Sequence, residues 1–96
     1  MSAYFIAQIT IQNRDQYREY EDGFDKVIEG YDGKVLVVDD RPTVLEGTWH
    51  WERVVVIRFS SPDEARRWYN SEAYRTLARF RHQSSEATIL LAEGRE

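Results

Sequence analysis

A chain of 96 residues, 42% hydrophobic and 31% charged, has the proportions of one globular domain that buries roughly two-thirds of its unfolded surface. The absence of cysteine excludes disulfides and thiolate sites, no run approaches the ~20 apolar residues of a membrane span, and no basic-then-apolar leader is present, so a cytoplasmic address is expected. The net charge of −4 is uneven, with 11 acids against 5 bases in residues 1–52 and 6 against 8 in residues 53–96, which suits complementary solvated faces or a modestly basic pocket for a small anion, not the dense basic stripe of a nucleic-acid binder.

Ala3 to Ile11 alternates Ala3, Phe5, Ala7, Ile9 and Ile11 with Tyr4, Ile6, Gln8 and Thr10, a first strand with one apolar and one mixed face. Asn13 to Asp15 supplies capping side chains and negative charge for a helix start. Tyr17, Tyr20, Phe24, Val27, Ile28 and Tyr31 follow at helical spacing, a stripe wide enough to pack on a sheet. Gly23 weakens the middle of this helix by about 1 kcal/mol relative to alanine. Asp32-Gly33 marks its exit, and Lys34 to Asp39 reads as a second strand. Asp39-Asp40-Arg41-Pro42 is a turn, Thr43 to Glu46 adds a short extended piece before Gly47, and Thr48-Trp49-His50-Trp51 is an aromatic connection suited to covering an edge or a subunit contact.

Residues 52–81 hold the strongest signals. Val54, Val55, Val56, Ile57 and Phe59 are apolar on both alternating faces, as in a strand covered from both sides. Ser61-Pro62-Asp63-Glu64 places a capping serine, a proline at the first helical position and a glutamate three residues after the cap, so a helix begins at about Pro62. Ala65, Trp68 and Tyr69 share one face of it, but the apolar set resumes out of phase at Tyr74, Leu77 and Ala78. The spacing therefore predicts a break at Asn70-Ser71, with Ser71 capping a second helical piece. Arg81 falls on the apolar face of that piece, where a guanidinium needs an anionic or carbonyl partner. Glu86 to Glu93 gives a last strand, followed by the tail Gly94-Arg95-Glu96.

The order β-α-β-β-α-β predicts a single α+β domain over residues 1–96, a ferredoxin-like sandwich with a four-stranded antiparallel sheet and a broken second helix. Two helical regions cover only one sheet face. Strands apolar on both faces then leave a large greasy surface, which a second copy laid sheet on sheet would cover as a two-fold homodimer.

Tyr4, Asp15 with Tyr17 and Tyr20, Tyr31 with Gly33, Leu45-Glu46-Gly47, the strand ending at Phe59, Ala65 with Trp68-Tyr69, Ser71, Tyr74, Arg81 and Glu93-Gly94 together resemble the family called domain of unknown function 1330 over nearly the whole chain. The resemblance implies the dimeric α/β-barrel superfamily, which also holds cofactor-independent monooxygenases, muconolactone-isomerase-like proteins, haem-degrading enzymes and dye-decolorising peroxidases; the family itself has no generally assigned reaction. One departure stands out. Where the family commonly shows a glycine pair before strand two and Arg-Gly-Gly after it, this chain has Asp32-Gly33 and Val38-Asp39-Asp40, an acidic loop ill suited to a basic ligand contact.

His50 and His82 are the only imidazoles, and nothing in their spacing brings them together, so neither a metal nor another cofactor is expected. Glu46 ends an extended segment or serves as an acid or base at a pocket mouth. Tyr17, Tyr20, Trp68, Tyr69 and Tyr74 are either ordinary aromatic core or the lining of a helix-sheet cleft for a small molecule. Arg81, beside Tyr74 and His82, either binds the carboxylate or enolate oxygen of a ligand or forms a structural salt bridge to Glu46 or an acid of the first helix. The expected function is a homodimer binding a small, partly apolar organic anion, with enolisation-type isomerisation or cofactor-free oxygenation as the superfamily's chemistry. In that chemistry Arg81 stabilises negative charge, and a tyrosine or Glu46 moves a proton. The rival is a non-catalytic dimerisation module whose aromatics are all core.

Overall fold

In the computed structural model, which describes residues 1–95, three side chains start the three helices. Asn13 Oδ1 accepts from the Gln16 N–H at 3.1 Å, Ser61 Oγ from the Glu64 N–H at 3.1 Å, and Ser71 Oγ from the Tyr74 N–H at 3.1 Å. Each satisfies one of the orphan donors of a first helical turn. The elements are β1 (Ala3–Ile11), α1 (Arg14–Ile28), β2 (Gly33–Asp39), β3 (Arg53–Phe59), α2 (Pro62–Tyr69), α3 (Glu72–Ser84) and β4 (Ser85–Glu93). The expected helix break at Asn70-Ser71 is present, and Ser71 joins its two sides, its hydroxyl donating to the Trp68 carbonyl at 2.7 Å while it caps α3.

The strands form one antiparallel sheet in the order β2-β3-β1-β4. This is the ferredoxin-like arrangement, with β1 and β3 in the middle. Phe5 lies opposite Ile57 on one side and Leu91 on the other, so the helix-facing row of one strand continues into the next. In β2 the pairing shifts between Val35 and Val37, which leaves Leu36 as an unpaired bulge.

Phe5, Ala7, Ile9, Ile57 and Phe59 form the sheet side of the core, and Tyr17, Tyr20, Ile28, Ala65, Trp68, Tyr74, Leu77 and Ala78 form the helix side. Trp68 is its hub. It is fully buried, with ring centroids of Phe5 and Phe59 at 5.3 Å and of Tyr74 at 4.2 Å. Gly23 lies mid-helix for a packing reason: a Cβ there would meet Leu77 Cδ1 at 2.6 Å, so its absence lets α1 approach α3 closely.

The structure departs from the sequence reading at Tyr31 and at Thr43 to Glu46. Helix α1 ends at Ile28, and Tyr31 lies beyond it, its N–H donating to the Ile28 carbonyl at 2.9 Å and its ring under the Arg67 guanidinium at 4.3 Å. Thr43 to Glu46 forms no strand and leaves the outer edge of β2 unpaired; Leu45 is 89% exposed. Within the chain the central strands are covered on one face only. On the other, Tyr4, Ile6, Val54 and Val56 stay half-buried, with Val37 and Leu90 exposed beside them.

Short polar ties fix the end of the sheet from which α1 departs. The Ser84 carbonyl accepts from the Gln12 and Asn13 N–H groups at 2.7 and 3.0 Å. The Glu52 carboxylate accepts from the Ile11 N–H at 3.2 Å and from Arg14. At the opposite end Gly33 sits under Phe59, where a Cβ would meet ring carbons at 2.5 to 3.1 Å. Because Phe59 is fully buried, the ring cannot withdraw. Gly33→Ala is therefore expected to lower unfolding free energy by about 1–3 kcal/mol, the usual cost of overpacking. A urea titration with an unchanged slope checks it.

Candidate functional site

Helix α1 packs on α3, and between α1 and the sheet lies a cavity of about 200 Å³. Its sheet wall is apolar: Phe5, Ala7, Ile9, Val55, Ile57 and Ile89, with Val35 and Val38 toward the β2 edge. Tyr17, Tyr20 and Phe24 of α1 face that wall. Four charged side chains complete the lining, Arg81 from the last turn of α3, Arg53 from the start of β3, and Glu21 and Asp25 from α1.

Arg81 is 5% exposed. Among the described residues no carboxylate pairs with it, so the expected alternatives of a salt bridge to Glu46 or to an acid of α1 are not met. Its Nη2 lies 3.1 Å from His82 Nε2, its guanidinium lies 6.0 Å from the centre of the Tyr20 ring, and its buried Nε has no acceptor. Partial desolvation, and then the Arg81 charge, hold the His82 pKa below the ordinary imidazole value. His82 is thus neutral at pH 7, and Nε2 accepts from Arg81.

Arg53 is held differently. Its Nε and Nη2 donate to the two Asp40 carboxylate oxygens at 2.5 and 3.2 Å, and its Nη1 donates to Glu21 at 2.9 Å. The hydrogen bond from Arg53 lowers the Asp40 pKa. The acidic loop of the sequence reading thereby becomes a clamp on a cavity-lining arginine, whose guanidinium lies 5.6 Å from the centre of the Tyr17 ring.

The tyrosine hydroxyls are kept protonated. Burial pushes Tyr20 well above the ordinary phenol value, with Tyr74 adding to the rise; burial also raises Tyr17 against the pull of Arg53, and Tyr74 against the charge of Arg81. The Tyr20 and Tyr74 hydroxyls lie 2.8 Å apart and share one hydrogen bond, one donating and the other accepting. At neutral pH these groups donate hydrogen bonds and do not act as bases.

Of the residues singled out in the sequence, Arg81, Tyr17 and Tyr20 meet at the cavity. Tyr74 stands behind Tyr20, and Trp68 is core. Tyr69, Tyr74 and His82 border a separate depression on the outer side of α2 and α3, with Asn70, Arg75 and Arg79. Glu46 is exposed in the β2–β3 connection, outside the cavity lining. Arg53, Glu21 and Asp25 were not anticipated, although a signal exists for each. Arg53 shares a period-two face with Val55, Ile57 and Phe59, and Glu21 and Asp25 follow Tyr17 at helical spacing.

The model of the family described as domain of unknown function (DUF1330) matches residues 2–95. No curated protein matches the chain. Among solved structures, a protein of unknown function from Rhodopseudomonas palustris aligns with TM-score 0.80 at 16% identity, over 99% of this chain and 83% of that one. SnoaB, a cofactor-independent oxygenase from Streptomyces nogalater, aligns with TM-score 0.73 at 12% identity, over 99% and 94%. A dimeric protein of unknown function and ferredoxin-like fold from Bacteroides fragilis aligns with TM-score 0.65 at 7% identity, over 97% and 96%. At these identities the likeness is one of fold.

The tyrosine pair is open to a direct test. Tyr20→Phe leaves the buried Tyr74 hydroxyl without that partner and is expected to cost about 1–3 kcal/mol of stability. Removing both hydroxyls in Tyr20→Phe/Tyr74→Phe is expected to cost less than the sum of the single changes, as measured by a double-mutant cycle in urea.

Proposed function

We propose that this chain, which belongs to the domain of unknown function 1330 family, acts as a homodimer in which each subunit holds a small, partly apolar organic anion between α1 and the sheet. The observation that carries this reading is Arg81: a guanidinium 5% exposed, on an apolar cavity, with no carboxylate against it and a buried Nε lacking an acceptor. Burying a charge in that condition is costly unless an anionic or carbonyl oxygen reaches it. A cavity of about 200 Å³ suits one aromatic ring with small substituents, since a cavity of roughly 150 Å³ takes benzene.

With such a ligand in place, Arg81 stabilises charge on a carboxylate or enolate oxygen, and the Tyr17 and Tyr20 hydroxyls act as donors. Because burial keeps the phenols protonated, removal of a proton from the ligand falls to Glu21 or Asp25 on the rim. That division of roles suits enolisation or cofactor-free oxygenation, and the shared fold with the Streptomyces nogalater oxygenase supports the same direction. The non-catalytic reading has its own support in Trp68 and Tyr74, which are core, and in hydroxyls of Tyr20 and Tyr74 that share one hydrogen bond. In that case the cavity binds without reacting.

The dimer reading rests on the uncovered sheet face. Ile6, Val54 and Val56 lie on the two central strands, and Val37 and Leu90 on their neighbours, so the apolar surface runs across all four strands. A second copy turned by a two-fold axis covers it.

Wild-type protein is expected to be stabilised by benzoate or phenylacetate in a thermal-shift titration. The gain grows toward about 2.7 kcal/mol at a hundredfold excess over Kd. Arg81→Met is expected to fold and to lose that gain; a shift equal to the wild type's, or no shift in either protein, would overturn the reading. Sedimentation equilibrium is expected to give twice the chain mass, and a persistent single-chain mass at high concentration would refute the sheet-on-sheet dimer.

A further inference from the structure

We infer that the occupant of this cavity is amphoteric, an aromatic ring bearing an oxyanion at one end and an amine at the other. The inference rests on the anion-binding reading above and adds the second end. Two unlike charge environments line the cavity. At the buried end stands Arg81, 5% exposed, its Nε without an acceptor. At the outer end stand Arg53, Glu21 and Asp25, with Asp40 bound to Arg53 from the β2–β3 turn.

The charges at the outer end do not cancel. One guanidinium faces three carboxylates there, and Arg53 is already engaged by two of them, Asp40 through both oxygens and Glu21 through one. The third, Asp25, makes no side-chain hydrogen bond or ion pair among the described residues, yet it lines the cavity. A plain monoanion reaching Arg81 passes or abuts this acidic rim and is repelled by it, because unscreened charges act over about 8 Å at physiological salt. An ammonium at the trailing end reverses the sign of that interaction. It takes the free carboxylate of Asp25 while the leading oxyanion takes the Arg81 guanidinium, and the ring between them lies along the wall of Phe5, Ala7 and Val55. The rim thus selects against molecules that carry only negative charge.

The test is calorimetric titration of the whole chain at low salt with three probes: 4-(aminomethyl)benzoate, its near-isostere 4-ethylbenzoate, and benzylamine; 3-(aminomethyl)benzoate covers the alternative spacing of the two ends. An aminomethyl acid is expected to bind about 1.5- to fivefold more tightly than 4-ethylbenzoate, the range of an exposed ion pair. Benzylamine, lacking the oxyanion, is expected to bind most weakly. Asp25→Asn, a change at an exposed position, is expected to bring the two acids to similar affinities, weakening the aminomethyl acid and, by removing a repelling charge, slightly tightening 4-ethylbenzoate. If 4-ethylbenzoate binds as tightly as both aminomethyl acids, or Asp25→Asn leaves the ratio unchanged, the amphoteric ligand is refuted and the anion site stands. If benzylamine matches the aminomethyl acids, the oxyanion end is wrong. If no acid binds, the underlying reading fails as well.

Discussion

The hydroxyl of Ser71 donates to the carbonyl of Trp68 and accepts from the amide of Tyr74, and on that pair of bonds the rest of the molecule depends. It ends one helix and begins another within two residues, resetting the helical phase. A continuous helix would carry the face of Ala65 and Trp68 onward through Glu72 and Arg75. The reset instead brings Tyr74, Leu77, Ala78 and Arg81 into the interior. Leu77 can then seat against Gly23, and Tyr74 can reach Tyr20. Arg81 arrives at the cavity as part of this inward run. One capped discontinuity therefore both completes the core and delivers the buried charge.

The same reset explains how much of the molecule could be read from residue order. Caps, turn residues and apolar periodicity are local, so the seven elements and the break at Ser71 are legible in the sequence, the end of α1 less closely than the rest. The role of Gly23 was not, because the residue it accommodates, Leu77, is far away in sequence. Tyr31 was read as helical since its spacing fits, but the helix had already ended. The buried position of Arg81 was legible from its phase. Its lack of an acidic partner was not, because that is a statement about every carboxylate in three dimensions. Arg53 shows the converse: simple alternation puts it on the face of Val55, Ile57 and Phe59, but the run of valines that follows carries the stronger packing signal. Glu46 looked like a pocket carboxylate only so long as its loop was assumed to fold over the cleft.

The site has an unsymmetrical electrostatic design. Arg53 and Arg81 lie on the same cavity, yet the first is bound by Asp40 and Glu21, and the second, among the described residues, meets only uncharged groups, the His82 imidazole and the Tyr20 and Tyr74 phenols. A guanidinium matched by two carboxylates is a fixed structural element. One that meets only neutral groups keeps a charge no carboxylate offsets, and the surrounding phenols are held protonated. The buried end of the cavity thus offers hydrogen-bond donors and the outer end acceptors.

The bulge at Leu36 bears on how the sheet meets other chains. β2 is an outer strand carrying Val35, Leu36, Val37 and Val38, all substantially exposed, a composition that invites edge-to-edge growth. The misplaced residue spoils the regular spacing of free amides and carbonyls along that border, so an incoming strand cannot stay in register over its length. Edge-to-edge association along the rim, which would propagate into fibres, is thereby disfavoured, whereas the two-fold contact proposed for the flat surface closes on itself.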